Sequence, residues 1–249
     1  MKNPKITIGW LYPDFMNTYG DRGNILVLKS RCLERGILVE VIDISLGSQA
    51  SEILRADFLF MGGAQDRQQE IVYKDLHLKK KFLQQAVERE IPGLYICGAY
   101  QLLGNYYITA EGVPIKGLEI LGLYTENPGK KRLVGNIVVK TEIEELKDQL
   151  IIGFENHGGQ TFLNKDMRPF GEIVRGHGNN EIDPNEGVYY KNTIGTYLHG
   201  PIFSKNPRLA DWFIAKALKV KYGEDVQLKP MNDRFEFLAR QQFLTQDHA

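Results

Sequence analysis

Hydrophobic and polar positions follow an alternating programme over the first hundred residues. Ile6-Thr-Ile-Gly-Trp-Leu11 reads as a strand, residues 20–36 carry apolar side chains at helical spacing, and Ile37-Leu-Val-Glu-Val-Ile42 returns to a strand. Residues 56–61 form another apolar strand closed by Gly62-Gly63. Residues 65–89 have the mixed period of a long helix, and Pro92-Gly-Leu-Tyr-Ile96 is again a strand. Strands that alternate with helices through short, glycine-bearing connections predict an α/β fold. Its central sheet would be doubly wound and mostly parallel, flanked by helices.

The pattern changes after Leu118. Gly135-Asn-Ile-Val-Val-Lys140, Leu150-Ile-Ile-Gly-Phe154 and Gly187-Val-Tyr-Tyr190 are β-rich segments separated by Gly, Asn and Pro turns, and they predict further strands appended to the first sheet in the C-terminal half. Thr193-Ile-Gly-Thr-Tyr-Leu198 is one more. Two amphipathic helices follow over 207–219 and 232–246, with Asn206-Pro207 as the start of the first. Neither a low-complexity linker nor an internal repeat interrupts the pattern, so residues 1–249 are expected to form a single domain.

Charge narrows the class of function. The 31 basic side chains are balanced by 31 acidic ones, which leaves no surplus for general binding to nucleic acid or an anionic membrane. No apolar run approaches the roughly 20 residues that span a bilayer, and the run after Met-Lys-Asn-Pro-Lys is too short for a signal peptide. A cytoplasmic protein without membrane insertion is expected. The two cysteines, Cys32 and Cys97, suit neither a disulfide framework nor a zinc site, so no metal is expected. Cys32 lies at helical spacing among apolar residues and reads as core.

Cys97 has a different setting. It directly follows the strand Gly93-Leu-Tyr-Ile96 and precedes Gly98-Ala99 and Tyr100-Gln-Leu-Leu-Gly104, which can open a helix. Strand, nucleophile and helix in that order make a sharp elbow that exposes a reactive side chain, at the strand end where open α/β sheets bind ligands. A thiol nucleophile needs a base, and five histidines are available. His77 and His248 read as surface residues, and His157 and His177 sit in turn-like segments. His199 ends the apolar run 194–198 ahead of Gly200-Pro201 and is the first choice. Backbone amides at Gly63, after its strand, and at Gly98, after the nucleophile, are the expected oxyanion donors.

Met61-Gly-Gly-Ala64, Cys97-Gly-Ala-Tyr-Gln101 and Thr196-Tyr-Leu-His-Gly-Pro201 together resemble the class I (triad-type) glutamine amidotransferases of the cobyric-acid-synthase-like branch, with a flavodoxin-like fold. Tyr12-Pro13, Asn17-Thr-Tyr-Gly-Asp-Arg-Gly-Asn24, Gly153-Phe-Glu-Asn-His-Gly-Gly159 and Gly176-His-Gly-Asn-Asn180 are similar, within that branch, to the GatD-type glutaminase subunits of lipid II-amidating enzymes. The likeness covers the chain from about Ile6 to Leu218. It implies hydrolysis of L-glutamine through a thioester on Cys97, with His199 moving the proton. It implies substrate contacts at Gln101 and Arg132, with Lys131 the rival for the glutamine carboxylate. Gly62, Asn156 and His157, inside the same motifs, join that set.

The chain departs from the family pattern twice. Tyr95 and Ala99 stand where glycines usually flank the nucleophile, and Pro201 stands where a glutamate usually follows the histidine. The third acid must then be Glu155 or another distant carboxylate, be dispensed with in a Cys-His dyad, or come from a partner subunit. The last is the expectation here. No Gly-x-x-x-x-Gly-Lys-[Ser/Thr] motif occurs, so no cofactor is expected in this subunit and ATP with Mg is assigned to a partner. By resemblance that partner is a Mur-ligase-like (MurT-type) synthetase that amidates the D-glutamate of lipid II. The alternatives are another acceptor, such as a cobyrinate-type substrate, and a catalytically silent binding subunit.

Overall fold

The computed structural model describes residues 4–129 and 131–245; Lys130, His248 and the predicted helix end at Gln246 lie outside them. The chain opens β1 (Lys5–Leu11), α1 (Arg22–Leu33), β2 (Leu38–Ile44), β3 (Phe58–Met61), α2 (Asp66–Glu88), β4 (Gly93–Ile96) and α3 (Gly98–Leu102). Next come β5 (Tyr106–Ile108), β6 (Pro114–Lys116), β7 (Leu123–Glu126), β8 (Leu133–Thr141), β9 (Leu150–His157), β10 (Gln160–Leu163), β11 (Gly171–Arg175) and β12 (Asn185–Glu186). β13 (Val188–Tyr190), β14 (Thr193–Thr196), α4 (Ile202–Lys205), α5 (Pro207–Tyr222) and α6 (Arg234–Thr245) complete it.

The main sheet has the order β13-β14-β4-β3-β1-β2, parallel throughout except for the antiparallel edge strand β13. β3, β4 and β14 are buried at every position, which explains why β3 and β4 are continuous apolar runs with no alternation. β2, at the open edge, is mostly half-buried and carries Glu40 and Asp43. Helices cover the sheet through apolar stripes such as Val72, Leu76 and Leu83 on α2 and Leu209, Phe213 and Ala217 on α5. The strand order reverses between β1 and β3. A crevice at the carboxyl ends of those two strands is the expected ligand position in such sheets.

The later β segments depart from the expectation of an extended first sheet. Only the segments around Gly187 and Thr193 join it, as β13 and β14. The rest build two separate four-stranded sheets, β10-β7-β5-β6 and β12-β11-β8-β9, inserted between α3 and β13. Local pairing explains this. β8 and β9 form a long antiparallel ladder from Leu133↔His157 to Lys140↔Leu150, and β13 already closes the main sheet's edge. The ladder still serves the main sheet, because Phe154 of β9 exchanges both backbone hydrogen bonds with His199 (2.8 and 3.2 Å).

Candidate active site

β4 runs straight into Cys97, whose backbone is held at φ 52°, ψ −109°. A non-glycine residue there carries about 1–3 kcal/mol of strain, and the flanking structure must hold it. The Cys97 amide donates to the Thr196 carbonyl on β14 (2.8 Å), and its carbonyl accepts from the Gln101 amide (3.0 Å). Tyr95, the unexpected aromatic before the nucleophile, finds room because its ring lies over Gly93; a Cβ there would come 2.6 Å from Tyr95 Cε2. Cys32 is the opposite kind of thiol. It is buried on α1, and burial pushes it up to about 12, the reverse of activation.

His199 follows β14 and lies fully buried beside Cys97. Its Nδ1 meets Asp21 Oδ1 at 3.2 Å, and Asp21 is equally buried. This chain therefore already places a carboxylate on the imidazole, whereas the sequence reading looked for one on a partner subunit. Pro201 cannot play that part, but it makes the substitute possible: it packs directly on Gly23, where a Cβ would meet Pro201 Cγ at 2.1 Å, and so draws the Asp21 loop against His199. Phe203 reinforces this by donating its amide to Asn24 Oδ1 (3.0 Å). Glu155 is committed elsewhere, accepting from the His177 and Gly178 amides (2.7 and 3.0 Å).

Burial alone would drive the His199 ring toward its neutral form. The charge and hydrogen bond of Asp21, with the adjacent Cys97, outweigh it and push the imidazole up to about 10, so the charged ring prevails at neutral pH. The other ring nitrogen, Nε2, is buried without a protein hydrogen-bond partner among the described residues and remains available to the reaction. Tyr19, itself exposed, stands edge-on to the ring, centroids 5.0 Å apart.

Gly63 sits inside this cluster, but not as expected. Its N–H donates to Asp21 Oδ2 (2.7 Å) and its carbonyl accepts from the Thr18 amide (3.1 Å), so the amide is spent on the acid and is not aimed at an oxyanion. What the position needs is the missing side chain: a Cβ would lie 2.6 Å from His199 Cε1 and 3.3 Å from Cys97 Cβ. Gly62 likewise packs against the Met16 carbonyl and Asp21 and does not line the cleft. Gly98 directly follows Cys97 and opens α3, where the first amides of a helix have no intrahelical partner.

A cleft of about 610 Å³ opens over Cys97 and His199. Gln101, Arg132, Asn156 and His157 all line it. Arg132 is exposed at the rim and donates from Nε and Nη2 to Asn156 Oδ1 and carbonyl (both 2.7 Å), which fixes its guanidinium. Asn156 thus acts through Arg132. Gln101 is buried with both amide atoms engaged, donating to Tyr197 Oη (3.1 Å) and accepting from Gln69 (3.2 Å). His157 stacks on Tyr197 (3.6 Å, 5°) and bonds the Gly159 carbonyl through Nδ1 (2.7 Å). Both support the wall of the site. Lys131 does not line the cleft.

Residues that escaped the sequence reading are Asp21 and Tyr19, on the loop after β1, and Asp66 and Tyr107 on the cleft wall. Asp21 had a legible signal: an acid in a glycine-flanked turn entering a helix, at the carboxyl end of the first strand. Among the described residues, no cluster of His, Cys, Asp or Glu suits a metal ion, and no helix is long and apolar enough to cross a membrane.

Comparison with known proteins places the chain in a family. The family model described as a CobB/CobQ-like glutamine amidotransferase domain matches residues 7–207. The chain is 44% identical over 229 residues, covering 92% of it and 86% of the relative, to the Streptococcus pneumoniae protein named "Lipid II isoglutaminyl synthase (glutamine-hydrolyzing) subunit GatD". The Staphylococcus aureus protein of the same name is 40% identical, with coverage of 95% and 94%. A solved structure described as a glutamine amidotransferase shares the fold, with a TM-score of 0.55 at 13% identity, covering 84% of this chain and 98% of that one.

Proposed function

From the premise that this chain belongs to the CobB/CobQ-like glutamine amidotransferase family, we propose that it is the glutaminase subunit of a two-subunit enzyme that amidates lipid II. The observation that carries the chemistry is the strained Cys97 elbow beside the His199–Asp21 pair in an open cleft. Residues 1–249 act in this reading as one amidotransferase domain.

The Cys97 sulfur, having given its proton to His199, attacks the side-chain carboxamide carbon of L-glutamine. The charge that develops on the amide oxygen is met by the Gly98 N–H. His199 returns its proton to the departing nitrogen, ammonia leaves, and a γ-glutamyl thioester remains on Cys97. The ring, now neutral, takes a proton from water, which opens the thioester to glutamate and restores the thiol. Asp21 holds the imidazole in orientation and stabilises its charged form throughout. Arg132 offers a planar guanidinium to the α-carboxylate of the substrate.

The released ammonia is consumed by a Mur-ligase-like (MurT-type) synthetase that binds ATP and Mg and activates the α-carboxylate of D-glutamate in lipid II, giving D-isoglutamine. This subunit acts in the cytoplasm, near the membrane only through its partner's substrate. Support comes from the extent of the likeness to the two GatD proteins, which covers nearly the full length of both partners in each comparison. The test combines the chain with the synthetase, ATP and lipid II and follows amidation by mass. Cys97→Ala should abolish glutamine-dependent amidation and leave ammonia-dependent amidation intact. Glutamine hydrolysis without lipid II amidation would move the acceptor elsewhere.

A further inference from the structure

We infer that Asp66 recognises the α-ammonium group of the glutamine substrate and so makes the site specific for a free amino acid. The inference rests on the glutaminase reading and adds to it the part of the substrate that Arg132 does not address.

Among the described residues that line the cleft, Asp66 is the one carboxylate, facing a lining whose cationic side chains are Arg67, Arg132 and His199. It begins α2, one turn beyond the Gly62-Gly63 end of β3, and is half-buried. An acid at the first position of a helix is favourable in itself, but here the side chain is also tied down. Its Oδ1 accepts from Tyr107 Oη at 3.0 Å. Tyr107 is buried on β5, and its hydroxyl is held protonated by burial first, and then also by the nearby Asp66 and Cys97. Tyr107 thus shares the cleft lining with the nucleophile and is in hydrogen-bond contact with Asp66.

Once the carboxamide carbon of glutamine is on the Cys97 sulfur, two methylenes lead to the α-carbon, so the charged head must fall on the nearby wall. A zwitterionic head needs two opposite partners set apart, and Arg132 with Asp66 supplies them. The tether to Tyr107 uses only Oδ1 and leaves Oδ2 as an acceptor for an ammonium, which brings three donors. An analogue without the amino group leaves that carboxylate unpaired in the filled site, which is how a polar site rejects it.

The test compares L-glutamine with 4-carbamoylbutanoate, which keeps the carboxamide and the carboxylate and lacks the amino group. The assay uses wild type, Asp66→Asn and Asp66→Ala in complex with the synthetase partner. Wild type should prefer glutamine by about 10-fold or more in kcat/KM, expressed chiefly in KM, and both variants should lose that preference by raising KM for glutamine alone. Equal losses on the two amides would assign Asp66 to support of Tyr107 and overturn the inference, as would an unchanged preference. If wild type hydrolyses neither amide, the glutaminase reading itself falls.

Discussion

Asp21 is the residue on which the site's electrostatics turn, because a single carboxylate holds His199 with one oxygen and the Gly63 amide with the other. Its removal in Asp21→Asn takes away the charge that keeps the imidazole up at about 10 and leaves burial, which lowers it. The alkaline limb of the kcat/KM profile should then move to lower pH by about 1–3 units, with kcat reduced about 100-fold or more. A pH-rate profile of the two proteins checks both. Gly63→Ala is a steric probe of the same spot: the new Cβ meets the His199 ring at 2.6 Å, and Asp21 prevents the ring from yielding. We expect kcat to fall about 100-fold while circular dichroism shows the fold retained. Arg132→Lys keeps the charge but loses the fork, so glutamine KM should rise about 10-fold in steady-state assays, with kcat less affected. At this scale the nucleophile and base were legible, because strand-end placement marks them. Asp21 was passed over despite its glycine-flanked turn, since the family spacing directed attention to position 201 and its contact with His199 joins residues 178 apart in sequence. The role of Gly63 was half-legible: closeness demanded glycine, but where its amide points depends on Asp21.

Among the elements, the parallel core was readable from apolar runs that end in glycine, and β1, β3, β4, β14, α2 and α5 fall where those runs lie. The inserted strands were recognisable as strands, but their partners were not. Alternation within a strand fixes its faces and not its sheet, and the β8–β9 ladder wins by local pairing. The attachment of the C-terminal segment was also hidden. Arg31 of α1 is buried between Asp211 of α5 and Asp233 ahead of α6, with contacts of 2.6–3.1 Å to the two carboxylates, and Arg35 also bonds Asp211 (2.7 Å). Arg31→Met would leave two partly buried carboxylates short of their partner. We expect a loss of about 3 kcal/mol in urea unfolding and faster proteolytic cleavage of the segment after Lys229, while the Cys97 site at the opposite strand ends is spared.

For the whole molecule, topology decides where chemistry can occur. The reversal of strand order between β1 and β3 opens the crevice; the loop after β1 delivers Asp21, the turn after β3 delivers Gly63, and β4 and β14 deliver Cys97 and His199 to the same end of the sheet. The inserted sheets add the substrate wall through Arg132, Asn156 and His157. Cys97, His199 and Asp21 thus meet within one chain. Glutamine hydrolysis should therefore depend on Asp21 whether or not the synthetase is bound, a point settled by measuring glutamate release from Asp21→Asn alone and in complex. The central claim is that Cys97 carries the acyl group. Acid quench of the protein during turnover of L-glutamine, followed by peptide mass analysis, tests it most directly. The account predicts a γ-glutamyl adduct on Cys97 that is absent from Cys97→Ala; glutamate release that persists in Cys97→Ala, or an adduct on another residue, would contradict it.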